Sequence, residues 1–184
     1  MPDLNTLPVR DGLVRADRAH WTRQPPQSDH ARLRFLLTQT PDIVALAARL
    51  GTTPRTLKRI LDQQVRKCRK GLHQAIQAEA AALWQPRVRQ RARQAAHSMR
   101  VCFRGRFGYT ASRGSSDDGR VRMLTVTLRP YHVGLLLEAY ARDASEDELR
   151  RIVGDVIGVA YFNLPEGGPD MVRLNDIDFI DFDY

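Results

Sequence analysis

The chain has little of what most functional classes require. Two cysteines, Cys68 and Cys102, in 184 residues support neither a disulfide framework nor a four-thiolate zinc site, and both read as reduced thiols. Five scattered histidines, His20, His30, His73, His97 and His132, offer no metal-ligand spacing and no recognisable general base, so no metal site is expected. Apolar runs are short and broken by Arg or Gln, which argues against a transmembrane helix and a membrane partner. The first 23 residues lack the apolar segment of a signal peptide, so a cytoplasmic protein is expected. Acidic residues are scarce in one part of the chain, with only 7 before Phe107.

What is present suffices for a packed core. Hydrophobic residues make up 42% and charged residues 27%, a globular composition with room for one ordinary domain or two small ones. The 29 Lys and Arg exceed the 21 Asp and Glu by 8, which suggests a polyanionic partner. Position sharpens this: Met1 to Arg106 holds 21 basic and 7 acidic residues, whereas Phe107 to Tyr184 holds 8 basic and 14 acidic. Solvated helices would mix the signs, yet Arg55 to Arg100 carries 12 cations against Asp62 and Glu79. The basic half is expected to hold DNA and to associate the protein with the nucleoid.

Residues 1–28 are polar, with Pro2, Pro8, Pro25 and Pro26 and no apolar period, and read as a flexible arm. Residues 29–100 read as a helical DNA-binding domain. Ser28 or Asp29 caps a helix to about Gln39, and Thr40 with Pro41 starts another that ends at Gly51. A further helix starts three residues later, capped by Thr53 with Pro54 in its first turn, which makes a helix-turn-helix. Its second helix directs Arg55, Thr56 and Arg59 toward base edges in a major groove, and Thr53 and Lys58 toward phosphates. Arg66, Lys67, Arg69 and Lys70 form a compact run suited to backbone contacts. A long basic helix is expected from Leu72 to about Met99, kinked or restarted at Pro86. There Arg87, Arg89, Arg91 and Arg93 spread charge around the circumference, as a wrapping phosphate backbone would require.

Residues 101–184 read as a small α+β domain of order β-β-α-α-β. Val101 to Phe107 and Val121 to Leu128 pattern as antiparallel strands, Pro130 opens a helix, and Ser145 to Glu148 is a capping box opening another. Val172 to Tyr184 reads as a last strand, whose Asp176, Asp178, Asp181 and Asp183 suit either a protein-docking edge or a solvated face. Between the first two strands lies a polar loop, Thr110 to Gly119. Its Ser115 and Ser116 hydroxyls need activation before they can act as nucleophiles. Asp117 and Asp118 can help hold Mg2+ on a nucleoside triphosphate, and Arg113 and Arg120 can receive its phosphates. The same composition also makes an ordinary hairpin loop.

Taken in order, several segments resemble the telomere-protecting terminal proteins (the Tpg family) of linear actinomycete chromosomes and plasmids. They are the helix-turn-helix around Leu50-Gly51, Trp84 to Arg89, Gly108 to Ala111, Gly114 to Asp118, Leu124 to Val126, and the aromatic-acidic C-terminal stretch. The resemblance implies a protein that becomes covalently attached to 5′ DNA ends. A hydroxyl accepts the first deoxynucleotide, whose 3′-OH then primes end-patching synthesis by a partner DNA polymerase. The family acceptor is a threonine in a Gly-Thr-Thr-Asp-Asp stretch, and the second of that pair matches Ser116 here, with Ser115 in reserve. The resemblance further implies Mg2+ and a deoxynucleoside triphosphate during priming. It also implies telomeric DNA, duplex and folded single-stranded 3′ overhang, and a telomere-associated protein as partners. The protein is then a primer, a substrate of the polymerase, more than a stand-alone enzyme.

A different class fits the same DNA-binding features: a helix-turn-helix transcriptional regulator with a C-terminal dimerisation domain. An exposed edge strand permits such a homodimer. Only the priming protein needs the serine hydroxyl. A serine-nucleophile recombinase fits poorly, because its larger catalytic domain has no room in this chain.

Overall fold

Hydroxyl and carboxylate N-caps mark four of the eight described helix starts in a computed structural model of the protein, which describes residues 8–65, 67–110, 117–164 and 171–184. The described elements are α1 (Val9–Ala19), α2 (Asp29–Gln39), α3 (Ile43–Arg49), α4 (Pro54–Leu61), α5 (Lys70–Leu83), α6 (Pro86–Ala95), β1 (Met99–Thr110), β2 (Asp117–Leu128), α7 (Pro130–Ala141), α8 (Glu146–Tyr161) and β3 (Met171–Asp183). Helices and an antiparallel sheet make an α+β structure. It divides into two units. One runs from Trp21 to Val88; the other combines the described residues up to His20 with Arg89 to Tyr184.

The first unit is helical. Ser28 caps α2 by accepting from the Ala31 amide at 3.2 Å, so the chain turns where an oxygen can satisfy an open N–H. The expected start of α3 at Thr40-Pro41 is corrected: the Asp42 carboxylate accepts from the Val44 amide at 2.8 Å and the helix begins at Ile43. Thr40 is occupied otherwise, since its amide donates to the Leu36 carbonyl at 2.8 Å and closes α2. Gly51 takes φ +63° in the turn before α4, a conformation that a side chain would strain. Thr53 caps α4 and Pro54 occupies its first turn. Leu33, Leu36, Leu46, Ala47, Leu50, Leu57, Ile60 and Ile76 form the core of this unit. Of the two expectations for the basic helix from Leu72, a kink or a restart at Pro86, the restart is seen: α5 ends at Leu83 and α6 begins at Pro86, because Pro86 cannot continue α5 and Gln85 adopts φ 46°.

The second unit is built on a three-stranded sheet of order β2-β1-β3, both pairs antiparallel. Helices α1, α7 and α8 pack with it around Val9, Leu13, Phe103, Phe107, Leu136, Leu149, Ile157, Ile177 and Ile180. The flexible arm expected over residues 1–28 is corrected for its described part. Val9–Ala19 is a helix with Val9, Leu13 and Ala16 buried on one face, and Glu146 accepts from its first amides, Val9 at 2.7 Å and Arg10 at 3.2 Å. The apolar positions are few, but the Glu146 carboxylate at the start of α8 supplies the missing cap.

Two bulges shape β3. Arg104 faces Phe179 while Gly105 faces Ile177, so Asp178 is extra; Arg106 faces Asp176 while Phe107 faces Leu174, so Asn175 is extra. The first bulge lets Ile177 and Ile180, three residues apart, both reach the core. Gly105 has no room for a side chain: an added Cβ would lie 2.2 Å from the Asp176 carbonyl oxygen.

Candidate nucleic-acid interface

The division into units relocates the charge. Trp21 to Val88 holds 12 basic and 4 acidic residues, a net of +8, while the remaining 116 residues hold 17 of each. The whole excess therefore belongs to the helical unit. A cut by position alone assigned Arg89 to Arg106 to the basic half, but these residues belong to the sheet unit and many of them are paired there.

Helix α4 presents its cations by simple periodicity. Leu57 and Ile60 turn inward and are buried, so Arg55, Lys58 and Arg59 are exposed. Thr56 is half-buried; its hydroxyl lies 2.9 Å from that of Thr53, which also accepts from the Thr56 amide at 3.2 Å. Both hydroxyls thus take part in the helix cap. Beyond α4, Lys67, Arg69 and Lys70 are exposed, and Arg66 lies outside the described residues. Among the described residues no carboxylate pairs with Arg55, Lys58, Arg59, Lys67, Arg69 or Lys70, whereas Arg32 and Arg49 of the same unit pair with Asp29 and Glu79. Unpaired guanidinium and ammonium groups are what a phosphate backbone requires.

Helix α6 does not spread its arginines as expected. Arg87 and Arg91 are exposed, but Arg89 and Arg93 point into the sheet unit, 3.6 and 3.2 Å from the carboxylate of Asp17, which is 1% exposed. Tyr184 and Tyr140 donate hydroxyls to the same carboxylate at 2.6 and 3.3 Å, and the Arg93 guanidinium sits 5.2 Å from the Tyr140 ring centre. Burial first, and then the Asp17 charge, push the Tyr140 phenol up to about 12, and burial with the Asp17 hydrogen bond raises Tyr184 further. Arg89 and Arg93 are therefore engaged in a buried network and are unsuited to wrapping DNA. A signal existed in the sequence: Asp17 follows Ala16 on the apolar face of α1, a charge where a core residue belongs.

The acidic strand is likewise engaged. Arg100 reaches Asp183 at 2.8 Å, Arg104 reaches Asp178 at 3.5 Å, Arg106 reaches Asp176 at 3.8 Å and Arg15 reaches Asp181 at 3.8 Å. Of the two expectations for these carboxylates, the solvated face is the one seen: they form ion pairs on the sheet surface, worth little to stability where exposed.

The serine loop is bracketed rather than seen. Ser115, Ser116 and Arg113 lie outside the described residues. Strand β1 runs on to Thr110 and β2 begins at Asp117, with Tyr109 opposite Asp117, so both strands extend further toward the serines than the sequence pattern gave. Asp117 and Asp118 stand at the head of β2, and Arg120 is exposed on it. Two residues on, Arg122 was missed: its Nη1 donates to the Phe107 carbonyl at 2.5 Å and its guanidinium lies 5.3 and 5.5 Å from the Phe107 and Phe162 ring centres.

In the helical unit, Asp29, Cys68 and His73 converge. His73 Nδ1 lies 2.8 Å from Asp29 and Arg32 lies 3.3 Å from it. Burial raises the Asp29 carboxyl, but hydrogen bonds from His73 and Cys68 and the charges of His73 and Arg32 outweigh it, leaving it below the ordinary aspartate value. Burial and the neighbouring Asp29 push the Cys68 thiol up to about 11, which makes it a poor nucleophile. Among the described residues no His, Cys, Asp and Glu group is arranged to hold a metal ion, and no helix is long and apolar enough to cross a membrane. No family model, curated protein or solved structure matches this chain.

Proposed function

We infer that the chain is a terminal protein that binds telomeric DNA through its helical unit and is esterified to a 5′ end through its sheet unit. The observation that carries this reading is the confinement of the entire net charge to the helical unit, whose α4 presents cations with no carboxylate partner among the described residues, while the Gly114 to Asp118 stretch belongs to a unit with no net charge. Helices α3 and α4, with the turn at Gly51, serve as a helix-turn-helix in which α4 enters the major groove. Thr53, Arg55, Thr56, Lys58 and Arg59 lie on or beside that helix, with Lys67, Arg69, Lys70 and Arg87 of the same unit available to the backbone. The resemblance to terminal proteins supports the remainder.

In the priming step the Ser116 Oγ attacks the α-phosphate of a deoxynucleoside triphosphate held with Mg2+ by a partner DNA polymerase. A phosphodiester bond to serine forms, the α–β anhydride breaks, pyrophosphate leaves with the bonding pair, and the hydroxyl proton passes to a base of the polymerase or to water. The 3′-OH of the attached nucleotide is then the primer. A telomere-associated protein recruits the complex to the 3′ overhang.

Incubation with labelled deoxynucleotide, polymerase and telomeric template, followed by peptide mass mapping, tests this directly. An adduct at Ser116 that disappears in Ser116→Ala is expected; full label in that variant moves the acceptor to Ser115 or elsewhere, and no label at all removes the reading. Strand β2 has a single strand neighbour among the described residues, an open edge that a dimeric regulator would use. For that second reading, replacing both serines by alanine leaves function unchanged.

A further inference from the structure

Helix α4 does not offer all its cations to one surface. Thr56 and Arg59, with Thr52 of the preceding turn, form one wall of a cleft of about 770 Å3, and Lys67, Arg69 and Gly71 form the other. Arg55 and Lys58 do not line it. The cleft has no acidic lining residue, and its three cations have no ion-pair partner among the described residues. Its polar side chains are hydroxyls, an ammonium, guanidinium groups and the Cys68 thiol, and Leu50, Ile60, Val65 and Leu72 complete the lining with apolar surface. Three cations and two hydroxyls that face one cleft, with no counter-charge among the described residues, suit an anion, and the anions of DNA are its phosphates. The space is also far larger than one phosphate needs, so it suits several linked ones. Building on the DNA-binding reading above, we propose that this cleft seats the phosphodiester backbone of one strand of duplex DNA, with Arg59, Lys67 and Arg69 on successive phosphates. Arg59 then positions the protein, and Arg55 is the arginine of α4 left to read bases.

Salt titration of the full chain separates this from diffuse attraction. The probe is a fluorescent random-sequence duplex of about 20 base pairs, with affinity measured by anisotropy between about 50 and 200 mM KCl. Each released counterion contributes about 0.9 to the slope of log K against log salt, so Arg59→Gln, Lys67→Gln and Arg69→Gln should each lower the slope by about that amount. Arg34→Gln, an exposed cation of the same unit outside the cleft, should leave it unchanged. Gly71→Asp provides a variant that keeps the fold. No atom lies within 4 Å of its new Cβ, and a carboxylate in the first turn of α5 favours the helix. It should weaken binding at least about tenfold at low salt, because it sets an anion beside the strand. Unchanged slopes in the three glutamine variants, or an equal loss in Arg34→Gln, overturn the cleft while leaving DNA binding intact; a wild-type chain that binds no duplex overturns both. Displacement of the duplex by inorganic tripolyphosphate at equal phosphate concentration makes this a small-anion site and also overturns the proposal.

Discussion

Asp17→Asn tests the buried charge network most sharply, because it removes one negative charge and almost no volume. The Asp17 side chain is 1% exposed, whereas the paired Arg89 and Arg93 side chains retain 14% and 21% exposure. Removing one partner of a buried ion pair costs roughly 3–5 kcal/mol. The residual access of the arginines to water lets them recover part of their hydration, which favours the lower end of that range. The asparagine amide can accept from only one of Tyr140 and Tyr184 as the carboxylate does now, and a weakened hydrogen bond to a charged group adds about 1 kcal/mol. We expect a destabilisation of about 3–4 kcal/mol and a fall in Tm on the order of 10 °C. Both tryptophans, Trp21 and Trp84, belong to the helical unit. Near-UV circular dichroism of the tyrosines and urea unfolding followed in the far UV are therefore the appropriate readouts. A variant within about 0.5 kcal/mol of wild type would refute the reasoning, since two half-buried guanidinium groups would then tolerate the loss of their counter-charge.

Gly105→Ala forces a Cβ to within 2.2 Å of the Asp176 carbonyl and 2.9 Å of the Phe103 ring, and backbone cannot rotate away as a side chain can; urea unfolding should show a loss of about 3 kcal/mol, near the top of the range for overpacking. Thr53→Ala deletes the acceptor of the Thr56 amide and should cost about 1 kcal/mol, measured by tryptophan fluorescence during urea unfolding. At pH 8 the thiol of Cys68, pushed up to about 11, should react slowly with an aromatic disulfide reagent; Asp29→Asn removes the hydrogen bond and charge that add to burial and should speed it. Because the Asp29 carboxyl is lowered, its contribution to stability is present above the ordinary value of 3.8 and lost as the pH falls below it. Urea midpoints measured from pH 5 to pH 3 should decline more in the wild type than in Asp29→Asn.

The helix boundaries near the turn were legible because their chemistry is local. Ser28, Thr53, Pro54, Pro130 and Ser145 each act within a few residues of themselves, so a single chain suffices to read them. Asp42 escaped because Thr40 and Pro41 satisfy the same local rule, and only the closing of α2 onto the Thr40 amide decides between them. Helix α1 escaped for a different reason: its cap comes from Glu146, more than a hundred residues away, and its apolar face is completed by β3. In β3 the apolar-acidic alternation breaks at Phe179-Ile180, and the cause is a bulge opposite Gly105, a property of pairing that periodicity does not contain. The arginines of α6 misled most. Alternate cations look alike in sequence, and only a buried carboxylate from α1 separates Arg89 and Arg93 from Arg87 and Arg91.

Helix α1 shares a unit with strands made long after it, and this has a consequence for synthesis on the ribosome. The residues from Trp21 to Val88 are complete and can collapse around their own leucines while the rest of the chain is still being made. The first helix must wait, its apolar face uncovered, until β3 emerges to receive it. A nascent chain therefore acquires its cationic piece first and its neutral piece last, and any truncation that spares the former while removing the final strand strips α1 of the strand that covers its apolar face.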